Sequence, residues 1–98
     1  MVNELTEIGI ARLAETFPSL ARADGIWPWN PNRLDCWAAR LERSYNERLS
    51  ARFLLQVWNP SFDWECGLFD PREAIHFWDT NHRRAFLEFK TINTLVGS

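Results

Sequence analysis

Residues 52–68 have the sequence RFLLQVWNPSFDWECGL, and this stretch decides whether the chain contains a β-sheet. Its first part is a short apolar run, and Asn59-Pro60-Ser61 is typical of a turn. After the turn, apolar residues alternate with polar or small ones, namely Phe62, Trp64, Cys66 and Leu68. This alternation predicts a β-hairpin over about residues 52–68 with one buried face. The alternative is that the preceding helix continues to Trp58, because a short apolar run also fits a buried helix.

Helices are predicted on both sides of this hairpin. Apolar residues recur at steps of three and four over residues 4–17, 32–50 and 71–90. The predicted fold is therefore mainly α (α+β), with three helices and a small β-hairpin between the second and the third. We expect a single compact domain over residues 1–98, because the length fits one core.

A loop over residues 18–31 joins the first two helices, and residues 91–98 are expected to form a frayed tail. Two prolines, Pro28 and Pro31, restrict the backbone of the loop around Trp27 and Trp29. Rings on a stiff loop make good binding anchors, because little entropy is lost when they are covered.

Tryptophan is the most unusual feature of the composition. The chain has 6 Trp in 98 residues, which is more than so small a core is expected to hold. Trp37, Trp64 and Trp78 lie on predicted inner faces, whereas Trp27, Trp29 and Trp58 have no obvious place inside. We expect at least one of Trp27 and Trp29 to be exposed. The alternative is that both rings fold back as a lid over the helices.

These rings and nearby arginines form the predicted binding surface. It consists of Trp27, Trp29, Arg33, Arg40, Arg43 and Trp58. Trp and Arg are the residues most enriched at binding hot spots. The sequence therefore favours a small non-enzymatic protein-interaction module of adaptor or inhibitor type, whose partner is another protein or a second copy of the chain.

The net charge of the chain limits the other classes of partner that it is expected to bind. A formal net charge of −2 gives no general attraction to nucleic acid or to an anionic membrane. The alternative function is a nucleic-acid-associated factor that uses the Arg-rich face of the second helix. It is the weaker interpretation, because Asp35, Glu42 and Glu47 interrupt that face and favour salt bridges.

A second alternative is a small enzyme or a pH-sensitive site centred on His82 and Asp79. His82 lies in the middle of the last apolar stripe, and Asp79 precedes it by one helical turn. The favoured interpretation is a core histidine with a structural role, since the chain lacks a recognisable catalytic motif. No metal is expected, because His76 and His82 are spaced too far apart to share a helix face, and no cofactor-binding motif is present.

Cys36 and Cys66 are predicted to be free thiols in a reducing compartment. The sequence has no recognisable secretory signal and no apolar stretch of about 20 residues, so we expect a cytoplasmic protein without a membrane partner. The excess of Arg over Lys is typical of a GC-rich genome, and a bacterial or phage origin is our expectation.

Overall fold

Five α-helices and one short 3-10 helix make up the computed structural model, which describes residues 6–97 and the side chains of residues 6–89. The helices in chain order are α1 (Glu7–Glu15), the 3-10 helix (Pro18–Leu20), α2 (Pro31–Ala38), α3 (Tyr45–Trp58), α4 (Pro71–Phe77) and α5 (Thr80–Gly97). No strand occurs within residues 6–97. The fold is therefore all-helical over the described part of the chain.

The predicted β-hairpin is wrong. Residues 52–58 belong to α3, and residues 59–70 form an irregular segment of turns. The apolar run of residues 53–58 lacks a helical stripe because α3 is the central helix and is buried on most sides. Its buried residues are Leu49, Ser50, Ala51, Phe53, Leu54 and Leu55. A helix that is apolar nearly all round resembles a buried strand in sequence.

The alternation beyond the turn is produced by a loop. Trp64 and Cys66 are buried as predicted, but Phe62 and Leu68 are exposed. The loop is shaped by local bonds: the amide of Phe62 donates to the carbonyl of Asn59, and the Trp64 indole N–H donates to the same carbonyl at 3.3 Å.

The predicted helix over residues 32–50 is two helices. Residues 39–44 form turns between α2 and α3, and Leu41 is 95% exposed although its spacing placed it on the inner stripe. The break is made by a capping box, in which Ser44 Oγ accepts the amide of Glu47 and Glu47 Oε1 accepts the amide of Ser44. This local signal overrides the apolar periodicity.

The predicted helix over residues 71–90 is also two helices, α4 and α5. Trp78 has an extended backbone, and Asp79 Oδ1 accepts the amide of His82 at 2.9 Å, so the chain restarts as a new helix.

The outer boundaries differ as well. α1 begins after the Thr6 cap and ends at Glu15, so the predicted helix over residues 4–17 is too long at its C-terminal end, and residues 4 and 5 lie outside the described part. The backbone of residues 91–97 continues α5 instead of forming a frayed tail, and residue 98 lies outside the described residues.

The core is built around aromatic rings. Phe53 of α3 packs its ring within 5.5 Å, centroid to centroid, of the rings of Phe17, Phe69, Phe86 and Phe89. Such tilted and edge-on pairs each contribute about 0.5–1.5 kcal/mol beyond the burial of their area. Rings from α5, the irregular segment and the 3-10 helix therefore converge on α3.

A buried carboxylate fixes the irregular segment to α2. Asp35 is buried, and its two oxygens accept the amides of Glu65 at 2.9 Å and Cys66 at 2.8 Å. The carbonyl of Cys66 in turn accepts a hydrogen bond from Arg52 Nε of α3. Gly67 follows with φ +104°, where a Cβ would lie 3.0 Å from the Arg52 guanidinium. We call Asp35, Arg52 and the backbone of Cys66 the charged clamp.

The clamp also explains the chemistry of Cys66. Burial raises the pKa of its thiol to about 12, and the hydrogen bond to Asp35 and the charge of that carboxylate act in the same direction. Cys66 is therefore a protonated core residue, whereas Cys36 is exposed.

Replacing Asp35 tests the clamp. Asp35→Asn keeps the shape but presents an NH2 group to one of the two buried amides, and we expect it to lower the free energy of unfolding by about 1–3 kcal/mol. Urea denaturation measures this. Asp63→Asn, an exposed change in the same segment, is the control and is expected to cost less than about 0.5 kcal/mol. Equal effects of the two substitutions would show that the clamp does not stabilise the fold.

Candidate functional site

A tight turn before α2 holds Trp27 at the surface. Gly25 has φ +85°, and a Cβ on it would lie 2.5 Å from the Asn30 carbonyl and 2.7 Å from the Leu34 amide. The amide of Asn30 donates to the Gly25 carbonyl at 2.8 Å and closes the turn. Asn30 then caps α2 by accepting the amide of Arg33. Residues 26–29 are therefore fixed at both ends.

The two rings of this turn have different environments. Trp27 is 54% exposed, whereas Trp29 is 7% exposed and meets Trp58 edge-on at a centroid distance of 5.5 Å. The prediction that at least one of the two rings is exposed is confirmed for Trp27. Trp29 closes over the half-buried Trp58, which is the lid arrangement considered from the sequence, but for one ring only.

The exposed Trp27 ring makes one side-chain hydrogen bond to the fold. Its indole N–H donates to Glu15 Oε2 at 2.9 Å, which ties the ring to the last turn of α1. The ring borders a shallow cavity of about 340 Å³. The lining residues are Ala14, Glu15, Leu20, Ala21, Ala23, Ile26 and Trp27. We call this the Trp27 cavity; Glu15 is the one charged residue in its lining within the part of the chain that the structure describes.

Arg33 and Arg40 line a separate cavity of about 390 Å³ on α2, together with Asp24, Asn30, Asn32, Cys36 and Trp37. Arg33 pairs with Asp24 at 3.4 Å, and Arg40 pairs with Glu42 at 3.7 Å. The predicted binding surface is therefore divided, because the structure does not bring these arginines to the Trp27 cavity.

The remaining arginines of this region support the fold. Arg43 lies over the Trp37 ring at 4.4 Å and donates to the Trp37 carbonyl. Arg48 donates to the carbonyls of Ala38, Arg40 and Arg43, which lie where α2 ends. The guanidinium groups of Arg43 and Arg48 are therefore engaged within the chain. The nucleic-acid interpretation requires such groups to be available at the surface.

His82 is buried and belongs to a polar relay that reaches the surface at Asp79, and sequence reasoning identified this relay only in part. Its Nδ1 is 2.7 Å from Asp79 Oδ1, and its Nε2 is 2.8 Å from Ser19 Oγ. The amide of Ser19 donates to the same Nε2 at 3.3 Å, so Nε2 is an acceptor and the ring proton is on Nδ1, facing Asp79. Ser50 Oγ follows at 3.0 Å from Ser19 Oγ.

The order Ser–His–Asp is that of a nucleophilic triad, but the donors that such chemistry needs are committed elsewhere. The Ser19 amide is bonded to His82, the Leu20 amide to the Phe17 carbonyl, and the Ala21 amide to the Pro18 carbonyl. None of these three amides is left for an oxyanion beside Ser19. The relay is therefore best explained as a structural link between α5, the 3-10 helix and α3.

Asp79 completes the relay as a charged group. Its hydrogen bonds with the amide and the ring of His82 lower the pKa of its carboxyl below the usual value. The His82 ring is stacked on Trp78 at a centroid distance of 6.1 Å with an interplanar angle of 20°. Imidazole, indole and carboxylate thus form one packed unit at the start of α5.

Neither a metal site nor a membrane-spanning element is found in the described part of the chain. Within residues 6–97, no three His, Cys, Asp or Glu side chains lie close enough together to hold a metal ion. Over the same residues, every helix is too short or too polar to cross a bilayer.

Four residues that matter for these sites were not singled out from the sequence. Ser19 and Ser50 come from distant helices, and Asp35 was interpreted as a salt-bridge residue of the Arg-rich face although it is buried. Glu15 reaches Trp27 across 12 positions. The one available signal was Asp35, an acidic residue between the apolar residues Leu34 and Cys36-Trp37 of a helix.

No family model, no curated protein and no solved structure matches this chain. Function must therefore be argued from the geometry of the site.

Replacing His82 distinguishes a structural relay from a catalytic one. His82→Ala removes the acceptor of the Ser19 amide and one hydrogen-bond partner of the Ser19 hydroxyl, and it removes the ring packed on Trp78. We therefore expect it to cost about 1–3 kcal/mol of stability. Thermal melting measures this loss. The wild-type protein is not expected to react with a fluorophosphonate probe, which labels activated serines. Labelling at Ser19 that His82→Ala abolishes would establish a nucleophile and contradict the structural role.

Proposed function

We propose that the chain is a non-enzymatic protein-interaction module that docks a partner protein through Trp27. The single observation that carries the proposal is the state of this ring. It is more than half exposed, its indole N–H donates to Glu15, and a backbone hydrogen bond closes the turn that carries it. An aromatic ring that is already ordered loses little entropy when a partner covers it.

The other predicted site residues already make contacts within the chain. Trp29 and Trp58 pack together, Arg43 lies over Trp37, and the ion pairs of Arg33 and Arg40 offset their charges. The polar cavity lined by Arg33 and Arg40 is separate from the Trp27 cavity, so the proposed docking rests on Trp27 and not on these arginines.

A cytoplasmic location is part of this proposal. Both cysteines are free thiols, and Cys36 is exposed to solvent. An exposed thiol persists in a reducing compartment, where glutathione and thioredoxin keep cysteines reduced.

The test is capture of partners from the source cells with tagged wild-type and variant chains, followed by quantitative mass spectrometry. For Trp27→Ala we expect the captured partner to fall more than about 10-fold, as for a binding hot spot. The melting temperature should change by no more than about 4 °C, because the removed ring is largely exposed.

Leu68→Ala is the matched control, since it also truncates an exposed apolar side chain but does not line the Trp27 cavity. We expect it to retain the partner. Retention of the same partner by Trp27→Ala, or a loss that Leu68→Ala shares, would refute docking at Trp27.

A further inference from the structure

We infer that the Trp27 cavity receives the guanidinium group of an arginine side chain from the partner, an inference that rests on the docking function proposed above. The first reason is the chemistry of the Trp27 side chain, which lines the cavity. An indole presents a negative π-face, and Trp is the best of the aromatic side chains at attracting a cation. The Trp27 side chain is 54% exposed and lines the cavity, so this ring is available to a cation there.

The second reason is charge. Among the described residues that line the cavity, Glu15 is the only charged one. Its Oε2 accepts the Trp27 indole N–H, and the residues that the structure describes include no basic side chain within 4.0 Å of its carboxylate. The Oε1 atom has no hydrogen-bond partner in that part of the chain and can accept a bond from a ligand. The Trp27 ring and the Glu15 carboxylate therefore lie next to each other in the cavity lining.

The third reason is shape. Three alanines, Ala14, Ala21 and Ala23, line the cavity, so the space beside the ring is not filled by long side chains. A planar guanidinium stacks on an indole while its edge donates to a carboxylate, whereas an ammonium is a compact and strongly hydrated point charge. An acidic side chain would be repelled by Glu15, and a purely apolar one would leave Oε1 without a partner.

The probe is a blocked Gly-Arg-Gly peptide titrated into the ¹⁵N-labelled full chain. The reporter is the indole N–H resonance of Trp27, which is identified by its absence in Trp27→Phe. We expect the arginine peptide to shift this resonance in a saturable way. The same peptide with citrulline in place of arginine is expected to have little effect, because citrulline keeps the planar shape without the charge.

Glu15→Gln tests the carboxylate without dismantling the site, because the amide oxygen of Gln still accepts the indole N–H. We expect it to weaken binding of the arginine peptide by about 2- to 5-fold, the effect of losing one exposed charge contact. Glu7→Gln, an exposed change on the same helix that does not line the cavity, should leave binding unchanged.

Two results would overturn the inference: equal shifts from the arginine and citrulline peptides, or unchanged binding in Glu15→Gln. They are distinguishable from failure of the docking function. If Trp27→Ala loses the partner but the arginine peptide causes no shift, docking at Trp27 stands and the arginine is wrong. If Trp27→Ala keeps the partner, the docking function itself is wrong.

Discussion

The buried carboxylate of Asp35 is the constraint on which the rest of the structure depends. Residues 59–70 contain no regular secondary structure, yet they bring Trp64, Cys66 and Phe69 into the core. Buried backbone amides need acceptors, and Asp35 supplies two of them from α2. Because the charged clamp fixes α2 against this segment and α3, it also fixes Asn30 and the turn that carries Trp27. The clamp therefore supports the helix whose N-terminal cap, Asn30, closes the turn that carries the exposed ring.

Sequence periodicity predicted where helices lie better than where they end. Residues at helical spacing were placed correctly on inner faces at Leu34, Trp37 and Trp78, which are all buried. The same spacing also placed Leu41 inside, although the Ser44–Glu47 capping box ends the stripe there. The β-hairpin was predicted because residues 53–58 of α3 contain a single polar residue, Gln56, so this short run does not show the polar face that marks a helix. Periodicity reports a single buried face, and it fails for an element buried on several sides.

The candidate site was predictable only where a single residue carried the signal. Trp27 was identified because two prolines and an excess of tryptophan drew attention to its loop. Its partner Glu15 and the serines of the relay were missed, since those contacts join residues that are 12, 31 and 63 positions apart in the chain. The arginines were grouped because they are close in sequence. In the structure they lie on α2, in the turn after it and on α3, and they make different contacts. Side-chain bonds across the fold decide which charges remain available, and no local pattern encodes them.

The fold shields most of its tryptophans and leaves Trp27 at the surface, and the proposed docking depends on this difference. Trp29, Trp37, Trp64 and Trp78 are buried, and Trp58 is half-buried. The most direct measurement is the broadening of the tryptophan ring resonances by a soluble paramagnetic agent that cannot enter the core. We expect the strongest broadening at the Trp27 ring, whereas the ring resonances of Trp29 and Trp78 should persist. Protection of Trp27 equal to that of Trp78 would contradict it, because the ring would then be part of the core and not a contact for a partner.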